Sequence, residues 1–169
     1  MQITRYASLT ESQFLGCASA FVDALSGELN AAAMYLRKLE GQPKGAAFAY
    51  EMSLDRHRYG ALTVLDRWGT LAGTFGPHLK LSRRQSVVEQ AAARVEEAEA
   101  MLRRANDVVD AAGSYSSEMV EACVLAFQSV SAIFADERQA AEQSAQLGPL
   151  LPDDFREARG VFAQDLAVR

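Results

Sequence analysis

Apolar residues recur along this chain in steps of three and four, in stretches separated by turn-forming residues. The most regular stretch runs Val88, Ala91, Val95, Ala98, Leu102, Ala105, Val109, Ala112. It is a heptad seam with a branched residue at each a position and alanine at each d position. Such a stripe predicts a long helix over 82–112, held against a neighbour. The alanines remove bulk at the crossing, so the partner axis can come closer than the usual ~8–10 Å.

The other helices follow from the same periodicity and from their caps. Thr10-Glu11-Ser12-Gln13 is a capping box, with Leu9 and Phe14 placed as a hydrophobic staple, and it opens a helix over 10–40. Its apolar face runs Phe14, Ala18, Phe21, Leu25, Glu28, Ala32, Tyr35, Leu39, and Gly41 and Pro43 stop it. A second helix over 45–75 carries Ala47, Tyr50, Leu54, His57, Ala61, Val64, Trp68, Leu71 and Phe75 on one stripe. Gly60 and Gly69 suit a bend or a close crossing. Ser82-Arg83-Arg84-Gln85 is a second capping box, Gly113 ends the seam helix, and Ser114 or Ser116 caps a fourth helix over 115–146. The apolar width of that fourth helix suggests neighbours on several sides. Gly148-Pro149-Leu150-Leu151-Pro152 breaks it, and a short helix over 153–167 presents Phe155, Ala158, Phe162 and Leu166 on one face.

No strand alternation, internal repeat or low-complexity segment interrupts this pattern. The expected fold is all-α: an elongated up-down four-helix bundle with a short C-terminal fifth helix, one domain over 1–169, its consecutive helices antiparallel because their links are short.

Composition agrees with that picture. A chain of 169 residues, 49% apolar and 23% charged, buries about 70% of its unfolded surface without metal or disulfide staples. A formal net charge of −5 argues against nucleic acid as a partner, which needs a concentrated basic face. The polar start and the lack of an apolar run of ~18–20 residues call for neither a signal peptide nor a membrane span. Cys17 and Cys123 fall on apolar faces, as reduced buried thiols do, and point to a cytoplasmic setting or the interior of an assembled particle.

Candidate chemistry is sparse. Glu28 and His57 interrupt apolar stripes, and Glu137 continues one. Carboxylates and imidazole inside a bundle bind metal in ferritin-like proteins, so these three residues form an alternative metal site. Against it, the chain has no Glu-x-x-His step, and the seam helix offers alanine and valine where ligands are needed. The simpler expectation is that Glu28 and His57 are partly exposed or pair with each other or with Arg37, Arg56 or Arg58, since an unpaired buried charge costs several kcal/mol. A run of acid and base at Asp55-Arg56-His57-Arg58 reads as a salt-bridged helix surface.

His78, Lys80, Arg83 and Arg84 gather before the seam helix, where a phosphate or an acidic partner finds cations and free helix N–H groups, pairing with Asp153 and Asp154 being the equally economical reading. Together with Phe155, Phe162 and Leu166 those four are the expected partner-binding residues. A pocket for an apolar ligand between Phe21, Phe127 and Phe134 is a further expectation. No catalytic constellation is visible, and no cofactor is called for. The expected function is therefore non-enzymatic: a structural or adaptor bundle acting through protein contact or self-association, as a subunit of a larger assembly of the virion or secretion-apparatus kind.

Overall fold

A computed structural model describes residues 9–75 and 85–167 of the chain. Among these residues the regular structure is helical: α1 (Glu11–Leu39), α2 (Phe48–Phe75), α3 (Gln85–Ala111), α4 (Ser117–Ile133), α5 (Ala135–Leu147) and α6 (Asp153–Ala167), with a 3-10 turn at Gly148–Leu150. The all-α bundle anticipated from periodicity is present. No single described helix is long and apolar enough to cross a membrane.

The local signals behave as their chemistry requires. Thr10 Oγ1 accepts from the Gln13 backbone N–H at 3.1 Å, and Gln13 Oε1 accepts from the Thr10 N–H at 2.8 Å, completing the capping box. Gly41 adopts a left-handed φ of 82° past the end of α1, and Ser116 Oγ caps α4 through the Met119 N–H at 3.2 Å. The capping box at Ser82–Gln85 begins outside the described residues. The alanine seam is buried from Ala91 to Val109: Ala91, Ala98 and Leu102 are fully enclosed, with Val95, Ala105 and Val109 close behind, while Ala112, just past the end of α3, is only partly buried.

Packing is organised around α1. α2 lies on α1, α3 on α2, α4 on α3, and α4 returns to α1, which closes four helices into a ring. α5 and α6 then cover further faces of α1, and its contact with α6 is the most extensive in the molecule. Seven consecutive residues, Gly16 to Val22, are buried as a result. That corrects the expectation that the fourth helix is the one surrounded. α4 packs mainly on α1 and α3, and Leu125 on its outer side is 57% exposed.

A second correction concerns the helix expected over 115–146. It breaks at Phe134, and the two pieces meet at 69°. No glycine or proline marks the break. Phe134 leaves helical geometry (φ −99°, ψ 34°) to bury its ring edge-on against Phe21, centroids 4.9 Å apart. The released segment swings onto α1 as α5.

The aromatic centre of the core joins three helices. Trp68 of α2 stacks on Phe21 of α1 (4.9 Å, 9°), touches Phe14 at 5.3 Å and meets Phe162 of α6 at 6.3 Å. Phe21, Phe127 and Phe134, the three residues of the expected apolar-ligand pocket, are all buried, and the Phe21 and Phe134 rings are in direct contact.

Candidate functional site

Three separate sets of polar groups stand where α1 meets α2, α2 meets α3 and α3 meets α5. At the α1/α2 crossing, Glu28 Oε2 lies 2.7 Å from His57 Nδ1, and the imidazole stacks on Tyr35 at 5.8 Å and 11°. Gly60 makes room for this pair: a Cβ there would sit 2.8 Å from the Glu28 carboxylate. The close crossing suggested by Gly60 is therefore made by a side chain. The pair is partly accessible, with 25% of the His57 side chain and 17% of the Glu28 side chain exposed. Beside it, Lys38 Nζ lies over both Tyr35 and Tyr50, at 5.5 and 5.2 Å.

Between α2 and α3, Arg58 is 1% exposed. Its Nη2 donates to Asp55 Oδ1 at 2.5 Å and to Asp110 Oδ1 at 2.7 Å, while Nη1 donates to the Asn106 carbonyl at 3.2 Å. Burial alone would lower its pKa, but the two carboxylates outweigh that and hold it above the ordinary guanidinium value. The expectation of an all-surface charge run at 55–58 misses this residue. The signal was available, because Leu54, Arg58, Ala61, Leu65, Trp68 and Ala72 form a continuous buried stripe.

Between α3 and α5, Arg94 donates to Glu137 Oε1 at 3.0 Å and to Asp136 Oδ2 at 2.8 Å. Glu137 is 1% exposed, and burial raises its carboxyl pKa despite the Arg94 charge.

The structure does not bring the three residues of the metal alternative together. Glu28 and His57 do meet, but Glu137 belongs to a different crossing and is held by arginine. Among the described residues no group of three or more His, Cys, Asp or Glu side chains is arranged to hold a metal ion.

The expected partner-binding residues divide in two. His78, Lys80, Arg83 and Arg84 lie outside the described residues. Phe155, Phe162 and Leu166 are buried at 3%, 3% and 6% exposure, covered by the chain's own helices. The apolar face of the last helix is thus satisfied internally, chiefly by α1. Gly16 is what allows this, since its backbone comes so near α6 that a Cβ would lie 2.4 Å from the Phe155 carbonyl oxygen. Thr10 Oγ1 donates to Asp154 Oδ2 at 2.9 Å and Arg159 donates to Asp23 at 2.9 Å, fastening α6 along α1.

Large apolar side chains are exposed elsewhere, among them Leu147 and Leu150 at the end of α5 and an aligned set on α2. On α2, Phe48 is 71% exposed, Met52 56% and Tyr59 49%. At 100° per residue the three fall within ~40° of one another around the helix. They stand beside a locked end of the bundle, where the α1–α2 and α3–α4 loops pair. There Gly41 N–H donates to the Tyr115 carbonyl at 2.7 Å, Tyr115 N–H to Gln42 at 2.9 Å, and Lys44 N–H to Gly113 at 3.1 Å. Lys44 Nζ also lies 4.8 Å over the Tyr115 ring, and the Tyr115 hydroxyl donates to Glu51 at 3.0 Å. Comparison with known protein families, curated proteins and solved structures finds no match to this chain.

Proposed function

We propose that the chain is a non-enzymatic structural or adaptor bundle that works through contact with another protein chain, as a subunit of a larger assembly. The observation that carries this reading is the exposed strip Phe48–Met52–Tyr59 on α2. Aromatic and methionine side chains are enriched at protein contacts, and an aligned exposed set marks an interaction surface where the same residues scattered singly would not. The paired loops beside the strip support the reading, because a backbone held by three cross-loop hydrogen bonds loses little entropy on docking. The internal ionic groups agree with it as well: Glu28–His57, Arg58 and Arg94–Glu137 are engaged with one another across helix crossings.

The test replaces Phe48 and Met52 together by glutamate. Both side chains are more than half exposed, so the melting temperature should hold. A photoactivatable residue at position 48 of the otherwise native chain should cross-link to a stoichiometric partner or a second copy, and the double variant should lose that partner. Unchanged sedimentation and unchanged co-purifying protein in the double variant would refute the reading.

A further inference from the structure

The bend between α4 and α5 opens a groove of about 440 Å³ against α1. Leu29, Val124 and Phe127 are buried residues that line it, and the amides of Asn30, Gln128 and Gln139 stand among them. Arg138 lines the same groove and is half-buried. Its Nη2 donates to Ser26 Oγ at 3.1 Å and to Ser131 Oγ, both neutral acceptors. Its Nη1 and Nε make no hydrogen bond, and no carboxylate lies within ion-pair distance of it among the described residues.

Arg58 and Arg94 behave differently, each holding two carboxylates. Glu142, one turn beyond Arg138, lines the groove without pairing with it. The acids that open α5 are also turned elsewhere, since Asp136 and Glu137 are both taken by Arg94 of α3. A guanidinium drawn partly out of water, fixed by two hydroxyls and lacking an anion, is an arrangement that gains from a carboxylate far more than a solvated arginine does.

We propose that this groove binds a small organic carboxylate with an apolar body. The carboxylate accepts from the free Nη1 and Nε of Arg138, and the body covers Leu29, Val124 and Phe127. The proposal is independent of the α2 strip, which lies on another part of the surface.

The test titrates hexanoate into the full ¹⁵N-labelled chain, with its neutral isostere hexanamide and with acetate, which lacks the body. Hexanoate should bind saturably in the millimolar range expected of so small a ligand, shifting the amides of Leu29, Val124, Phe127 and Ala135. Hexanamide and acetate should each bind at least about tenfold more weakly, since one lacks the charge-assisted bond and the other the apolar burial. Arg138→Gln should bring hexanoate down to the level of hexanamide at unchanged helicity. Equal binding of hexanoate and hexanamide in the wild-type chain overturns the proposal whether or not the variant folds. So do equal binding of acetate, shifts confined to other surfaces, or the absence of saturation.

Discussion

Gly16 and Gly27 lie on the same helix, and alanine at the two positions should have opposite effects. At Gly27 nothing lies within 4 Å of an added Cβ, and the residue is exposed. Alanine there only relieves the backbone entropy of glycine in a helix interior, a gain of about 1 kcal/mol. At Gly16 the same gain is opposed by backbone: the Cβ would lie 2.4 Å from the Phe155 oxygen and 3.1 Å from the Arg159 nitrogen. Neither atom belongs to a side chain that can rotate away, so α6 must retreat by ~1 Å to restore an ordinary carbon–oxygen contact.

Burial of Phe155, Phe162 and Leu166 contributes roughly 6 kcal/mol at about 2 kcal/mol each. A gap of that width forfeits a quarter to a half of the contact energy along the seam, or ~1.5–3 kcal/mol. After subtracting the propensity gain, Gly16→Ala should destabilise the chain by about 0.5–2 kcal/mol. Urea unfolding of wild type and both variants measures this. Far-UV circular dichroism follows the helices, and fluorescence of Trp68, the chain's single tryptophan, follows the α1–α2–α6 contact. The expected order of midpoints is Gly27→Ala, wild type, Gly16→Ala. A Gly16→Ala midpoint at or above wild type would show that α6 does not lie on α1 at this distance, and the reasoning would fail with it.

Three further outcomes follow from the buried polar groups. Burial raises the Glu137 carboxyl pKa above its ordinary 4.5, so the folded state favours the protonated form. The associated stability is complete below the unfolded pKa and is lost as pH rises through the folded one. Glu137→Gln should therefore be at least as stable as wild type at neutral pH, and its advantage should shrink toward pH ~5 in thermal melts; an advantage that grows on acidification contradicts the assignment. Arg58→Met removes the cation between Asp55 and Asp110 but leaves two carboxylates that are each about half exposed, so the loss should be ~2 kcal/mol, larger than for Asp110→Asn, by denaturant titration. Burial, with Asp165 adding to it, pushes the Cys17 thiol up to about 12, and burial also raises Cys123. Both should resist iodoacetamide in the native protein at neutral pH and react after unfolding, as read by mass spectrometry.

Much of the fold was legible because helix formation and capping are local. The three-four spacing of Phe14, Ala18, Phe21 and Leu25, the Thr10 capping box and the glycine at position 41 act within a few residues of themselves. The same holds for the buried ridge Ala91–Ala98–Ala105. The Glu28–His57 pair was legible as well, since two polar residues on apolar stripes of adjacent helices have few other ways to be satisfied.

Periodicity reports that a face is covered, never by what. The sticky face of α6 reads the same from its own residues whether its cover is a foreign chain or α1, and what decides is Gly16, about 140 positions away in the chain, whose missing side chain lets two backbones touch. The kink at Phe134 carries no breaker residue; it exists because Phe134 packs on Phe21 and because Arg138 reaches Ser26, 112 residues distant. The groove at that kink has no counterpart in any local pattern, because its walls come from three helices. Near neighbours set which segments coil and which side turns inward, and long-range steric fit and charge pairing set which inward sides meet.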